Sequence, residues 1–149
     1  MAVRGVRGAT TAAGNDEESI LAATQALLRE MVSANGIQVK DLASALFTVT
    51  EDLDAGFPAK AARLLGWQHV PLMDAREIPV PGSLARCIRV LLIWNTDLAQ
   101  QEVVHIYQGE ARRLRPDLAG PSAGVNKGEF YIPFTYLARA RPEQRYKMY

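Results

Sequence analysis

The sequence predicts one α/β (α+β) domain, built on a mixed β-sheet of about five strands with helices packed on one face. The chain has 149 residues, a length that fits a single domain. Its hydrophobic fraction of 48% with 22% charged residues is close to the globular average. Apolar segments with strand and helix periods follow one another in the order β α β α β β β, which is typical of such a sheet.

The first two elements are a short strand and a long amphipathic helix. Residues 2–6 alternate as a strand does, with Arg7 at the end. Residues 15–18 supply a capping residue and an acidic first turn, and apolar residues then recur at helical spacing. The Asn-Gly pair at 35–36 is a C-terminal stop signal. We therefore expect a helix over residues 15–34.

The middle of the chain predicts two strands around a short helix. Residues 45–49 are apolar and partly β-branched, which is typical of a strand buried on both faces. Residues 57–66 place a proline at the first helical position and a glycine just past the last one, which predicts a short helix. We expect a third strand over residues 67–72 and a charged loop over residues 73–83.

The strongest strand prediction is for residues 86–94, an apolar segment with Arg89 in its middle. Arginine is almost never fully buried unless it is paired, so Arg89 needs a partner or a ligand. A fifth strand is expected near residues 103–107. Residues 119–149 form a linker and an aromatic, basic C-terminal tail that we expect to dock, which leaves residues 1–118 as the folded domain.

Composition excludes several classes of function. No apolar run approaches the roughly 20 residues of a membrane span, and the N-terminus lacks a signal peptide, so we expect a cytoplasmic protein without a membrane partner. The net charge is only +1 and the basic excess lies in the tail, so no nucleic-acid partner is expected. A single cysteine, Cys87, cannot form an internal disulfide. His69 and His105 have no second ligand at metal spacing, so no metal is expected.

Cationic residues stand at the ends or in the middle of apolar segments. They are Arg7, Arg63, Arg89 and Arg115, with Lys60, Tyr107 and Glu77 nearby in the pattern. Because a guanidinium grips a carboxylate with two hydrogen bonds, this collection suits a small dianion. A surface ion pair is the simpler interpretation for any one arginine taken alone. Arg89 is the exception, since an unpaired guanidinium inside an apolar strand is very costly.

Four motifs, taken together, carry a family resemblance. They are RGVRGATT at residues 4–11, FPAKAAR at 57–63, CIRV at 87–90 and LRPDL at 114–118. In this order they resemble the monofunctional, trimeric chorismate mutases over roughly residues 2–118. The resemblance implies a homotrimer of pseudo-α/β-barrel form, with active sites at the subunit interfaces. It also implies that chorismate is rearranged to prephenate without a cofactor.

The resemblance further implies roles for individual residues. Arg7 and Tyr107 would bind one substrate carboxylate. Arg89 would reach a carboxylate and the ether oxygen, and Glu77 would accept a hydrogen bond from the ring hydroxyl. Phe57, Ala59, Lys60 and Arg63 would form a substrate-binding wall contributed by the neighbouring subunit, and Leu114 and Arg115 would lie in a segment that closes over the site. Met73 and Asp74, beside the charged loop, would also bind the substrate. Asp74 departs from the pattern, because some members of the family have a cysteine there.

The residue types agree with the implied chemistry. A Claisen rearrangement transfers no proton and builds negative charge on the ether oxygen, which a fixed cation such as Arg89 stabilises. Two alternatives stay open. One is an enamine or imine deaminase of the related trimeric fold, which needs fewer cations. The other is a non-catalytic module that binds a small carboxylate.

Overall fold

The structure is a computed structural model and describes residues 2–119. Its helices and strands are β1 (Ala2–Thr11), α1 (Glu17–Asn35), β2 (Leu42–Val49), α2 (Ala59–Leu64), β3 (Leu72–Arg76), β4 (Cys87–Thr96), β5 (Ile106–Tyr107) and α3 (Pro116–Ala119). The strands form one five-stranded sheet in the order β3-β2-β4-β1-β5, which confirms the predicted fold class. No helix among these residues could cross a bilayer. The predicted tail, except for its first residue, lies outside the described residues.

The register of the sheet decides which residues share a face. The central strand β4 is antiparallel to both β1 and β2, while β3 and β5 are parallel to β2 and β1. One row across all five strands contains Ala75, Thr48, Arg89, Ala9 and Tyr107. The adjacent row contains Asp74, Phe47, Val90, Gly8 and Ile106. Since successive side chains alternate between faces, the two rows lie on opposite sides of the sheet.

The face that carries Phe47, Val90 and Ile106 is packed against α1, and we call it the closed face. These three side chains are at most 3% exposed and belong to the main core cluster together with Met31 of α1. Gly8 lies in the same row, and a Cβ added there would collide with the Sδ of Met31. The missing side chain therefore lets the helix approach the sheet closely.

Helix α1 begins and ends close to its predicted bounds. Asp16 is the N-cap, and its Oδ1 accepts a hydrogen bond from the backbone N–H of Ser19 at 2.8 Å. This bond lowers the pKa of Asp16. Gly36 ends the helix in the left-handed region at a φ of 66°, as its position in the sequence predicts.

The first strand is longer than predicted. It extends to Thr11, so Arg7 lies inside β1 and not at its end. The reason is tertiary: β4 runs for 10 residues and offers β1 an antiparallel partner along its whole length. The first strand therefore places Arg7 and Ala9 on the sheet beside the residues of β4.

The prediction for the third strand was wrong. The strand β3 is Leu72–Arg76, so of residues 67–72 only Leu72 belongs to it, and its other four residues lie in the predicted loop. The N–H of Trp67 donates to the carbonyl of Ala62 at 3.1 Å, so the chain after α2 is still closing the helix. Pro71 then accepts from the N–H of Ala45 at 2.9 Å, and this bond aligns the following residues with β2.

The fifth strand is shorter than predicted, because β5 contains only Ile106 and Tyr107. The side chain of buried Asn35 explains this difference. Its amide accepts from the N–H of Val104 and donates to the carbonyl of Val104, both at 2.8 Å. Because Asn35 occupies both backbone groups, Val104 does not take part in a strand ladder.

Candidate active site

The face of the sheet opposite the helices carries the polar residues Arg7, Thr48, Arg89 and Tyr107, and we call it the open face. Leu46 and Leu91 on this face are partly exposed, whereas Phe47, Val90 and Ile106 on the closed face are buried. The sheet therefore has its main core on one side and groups Arg7, Thr48 and Arg89 on the other.

Arg89 lies in the middle of β4, as predicted, and it is paired. Its Nε is 2.8 Å from Oε1 of Glu77. The exposed fractions of the two side chains are 37% and 14%, so the pair is partly sheltered from water. The contact does not have hydrogen-bond geometry, and the buried Nε has no hydrogen bond within residues 2–119. Glu77 is therefore the partner that the sequence predicted for Arg89.

Glu77 is held in place by the neighbouring strand β2. Its backbone N–H donates to the carbonyl of Val49 at 2.9 Å. Its Oε1 accepts a hydrogen bond from Oγ1 of Thr48 at 2.7 Å. Thr48 is the residue of β2 that pairs with Arg89 of β4. No sequence pattern marks Thr48 as a site residue, because only the register of the sheet brings it to the site.

Tyr107 lies two strands away from Arg89 in the same row, with Ala9 between them. Two strand spacings correspond to about 10 Å. Tyr107 is buried, and its Oη has no hydrogen bond within the described residues. Leu114 packs against the cluster that contains Tyr107 and Ala9. Since buried hydroxyl groups are normally hydrogen-bonded, the lone Oη indicates a place for a ligand.

A second group of cations lies at the β5 edge of the open face. The backbone N–H of Arg7 donates to Nδ1 of His105 at 3.0 Å. Burial, together with the charges of Arg7 and Arg115, lowers the pKa of His105, so the imidazole is neutral at pH 7. Arg115 donates to Asp117 from Nε at 3.0 Å and from Nη2 at 2.8 Å, and this pairing raises the pKa of Arg115.

Six other predicted substrate-binding residues lie on or near α2 and β3. Phe57, Ala59, Lys60 and Arg63 lie in α2 or just before it, and Met73 and Asp74 lie in β3. We call these six residues the α2 set. Phe57 and Met73 are large apolar side chains that are 71% and 66% exposed. Phe57 and Asp74 line a groove of about 420 Å³ to which Arg89 does not contribute.

Two charged side chains of the α2 set have partners within the chain. Oδ1 of Asp74 accepts a hydrogen bond from the N–H of Ala59 at 3.0 Å, at the start of α2. Burial raises the pKa of Asp74, although this hydrogen bond and the charge of Arg63 oppose the shift. Nζ of Lys60 is 2.6 Å from Oε1 of Glu17. Asp74 therefore supports the first turn of the helix that carries Lys60 and Arg63.

The open face offers binding and electrostatic stabilisation. Its arginines can grip carboxylates, and Arg89 can stabilise negative charge that develops on a bound molecule. Cys87 is an unsuitable nucleophile, because burial and the charge of Glu77 raise the pKa of its thiol to about 11. The arrangement therefore suits a small anionic substrate that gains charge on one atom during its reaction.

Comparisons with known proteins point to one family. Residues 3–118 match the family described as chorismate mutase type I. The chain is 58% identical over 117 residues to chorismate mutase AroH of Thermus thermophilus, which covers 78% of this chain and 96% of the relative. It is 43% identical over 120 residues to chorismate mutase AroH of Bacillus subtilis strain 168, and this match covers 80% of this chain and 94% of the relative. A solved chorismate mutase from Clostridium thermocellum superposes with a TM-score of 0.72 at 49% identity, covering 73% of this chain and 97% of that one.

Proposed function

We propose that this chain, which belongs to the chorismate mutase type I family and is a chorismate mutase, binds its substrate on the open face. The rearrangement of chorismate to prephenate then takes place beside Arg89. The observation that carries the proposed location is the row with Thr48, Arg89 and Tyr107, in which Arg89 is paired with Glu77, Thr48 holds Glu77, and the Oη of Tyr107 has no partner in the described residues. The enzyme belongs to the isomerase class, and its reaction is a step of aromatic amino-acid biosynthesis.

The reaction is an intramolecular Claisen rearrangement, in which a C–O bond breaks while a C–C bond forms. Negative charge grows on the ether oxygen, and no proton is transferred. Arg89 stabilises that charge from a guanidinium whose orientation is already set by β4 and by Glu77. Because the cation need not reorganise as the charge appears, it lowers the barrier more than water does.

The remaining open-face residues hold the substrate in a reactive conformation. Arg7 and Tyr107 bind one carboxylate, with Tyr107 donating from the Oη that lacks a partner in the described chain. Arg115 closes over the site, and its guanidinium, which donates to the carboxylate of Asp117 in the free protein, donates to the substrate instead. Glu77 accepts from the ring hydroxyl with Oε2, since Oε1 is engaged by Thr48. Holding both ends of the molecule removes much of the entropic part of the barrier.

We further propose that the chain forms a homotrimer in which each site is shared by two subunits. The α2 set carries substrate-binding residues of the family pattern, yet the groove beside Phe57 and Asp74 excludes Arg89. The exposed side chains of Phe57 and Met73 are large apolar surfaces that a neighbouring subunit can cover. A site completed by a second copy explains both observations.

A direct assay tests the activity. Purified protein mixed with chorismate should abolish the absorbance of chorismate and yield prephenate. At saturating substrate the rate should be nearly flat from mildly acid to mildly alkaline pH, because no essential acid or base takes part. Unchanged chorismate would reject the proposal, and a bell-shaped profile near neutrality would favour the deaminase.

Subunit mixing tests the shared site separately. Arg63→Ala and Arg89→Ala remove residues that the proposal assigns to different subunits of one site. Mixed trimers of the two inactive variants should recover part of the activity, because some sites then receive both intact contributions. No recovery in demonstrably mixed trimers would show that one chain supplies the whole site.

A further inference from the structure

Thr48 makes a contact for which packing alone gives no reason. Its hydroxyl donates to Oε1 of Glu77 at 2.7 Å, and the same oxygen lies 2.8 Å from Nε of Arg89. Thr48 also pairs directly with Arg89 in the register of β2 and β4. Oε1 of Glu77 therefore contacts the hydroxyl of Thr48 on one strand and the guanidinium of Arg89 on the next.

From this geometry we propose that Thr48 is a positioning residue for the rearrangement, an inference that rests on the proposed function. Glu77 follows the last residue of β3, and its backbone N–H donates to the carbonyl of Val49. A carboxylate in that position can rotate about its side-chain torsions, and the Thr48 hydroxyl selects one orientation.

The selected orientation has two consequences for the site. It directs Oε2 of Glu77 away from Thr48 and leaves it available to the ring hydroxyl of the substrate. It also fixes the anion against which the guanidinium of Arg89 is aligned. Thr48 does not touch the reacting atoms, and it acts through Glu77 and Arg89. Because small displacements of a preorganised cation weaken transition-state stabilisation, losing the hydroxyl should reduce kcat more than it raises KM.

Thr48→Val tests the hydroxyl while it keeps the shape of the side chain and its preference for a strand. We expect kcat to fall about tenfold, the size expected for losing one hydrogen bond to a charged group, with a smaller change in KM. Thr48→Ser restores the donor and should recover most of kcat. Thr96→Val, at the far end of β4, is the matched control and should behave as the wild type does.

A double-mutant cycle separates positioning from a general structural role. In a Glu77→Ala background the hydroxyl has no carboxylate to orient, so adding Thr48→Val should reduce kcat no further. Equal losses in both backgrounds, or a Thr48→Val enzyme with wild-type kcat, would overturn the inference while leaving the proposed function intact. A wild-type protein that leaves chorismate unchanged would overturn the proposed function itself.

Discussion

The two faces of one sheet differ sharply, although the same strands build both. On the closed face, Val90 and Phe47 are buried against α1. One residue away along the same strands, Arg89 and Thr48 form a polar group with Glu77. With the reaction placed on the open face, as proposed, stability and activity depend on alternate residues, so substitutions at adjacent positions should affect different properties of the protein.

The largest expected effect comes from substituting neighbours on opposite faces. Arg89→Ala should lower kcat by roughly a hundredfold to a thousandfold, as removing a preorganised charge stabiliser does, with little change in melting temperature. Val90→Ala should instead lower stability by about 1–3 kcal/mol while the remaining folded enzyme keeps its kcat. Steady-state kinetics and thermal unfolding measure both properties. Similar kinetic losses in the two variants would contradict a division between faces.

The second-largest expected effect is a loss of stability when the hydrogen bonds between Asn35, at the end of α1, and Val104, before β5, are removed. Asn35→Ala removes both hydrogen bonds to Val104 and leaves its buried N–H and carbonyl without that partner. We expect a loss of about 2–3 kcal/mol, which corresponds to a melting temperature lower by roughly 5–12 °C. Asn95→Ala is the control, because Asn95 donates a single, longer bond of 3.3 Å to Asp41. An unchanged melting temperature for Asn35→Ala would show that the connection is unimportant.

Glycine-to-alanine substitutions at Gly8 and Gly5 of β1 compare how well each face of the sheet tolerates one added methyl group. Gly8→Ala places a Cβ against Met31 on the closed face and should cost about 1–2 kcal/mol as the helix shifts. Gly5→Ala lies on the exposed side, where the new Cβ would be 3.3 Å from the flexible end of Leu91. We expect a smaller loss for Gly5→Ala in denaturant unfolding. A larger loss at Gly5 would reverse the assignment of the two faces.

The smallest expected effect is a pH dependence of stability at the β5 edge. Folding lowers the pKa of His105 from 6.5, through burial and the charges of Arg7 and Arg115. Below pH 6.5 the unfolded chain therefore binds more protons than the native state, and stability should fall as the pH is lowered. Melting temperatures between pH 7.5 and 5 should show a smaller decline for His105→Asn. Exposed His69→Asn is the control and should keep the wild-type decline.

Local signals predicted the elements whose causes are local. The bounds of α1 follow from the cap at Asp16 and the stop at Gly36, both of which act within one helical turn. The third strand was misplaced because Pro71 and the residues of β3 take their position from β2, and no pattern within residues 72–76 indicates that partner. Pairing across a sheet is a long-range property that single-segment patterns do not contain.

The same distinction applies to the site. The sequence by itself determined that Arg89 lies inside an apolar strand and needs a partner, because an isolated buried guanidinium is too costly. The motifs around Arg7, Arg89 and Arg115 also carried the family resemblance. Only the tertiary structure decided that Thr48 and Glu77 meet Arg89, since strands distant in the chain bring them together. Residue types and strand periods are written locally, whereas register is set by the packing of whole strands against one another.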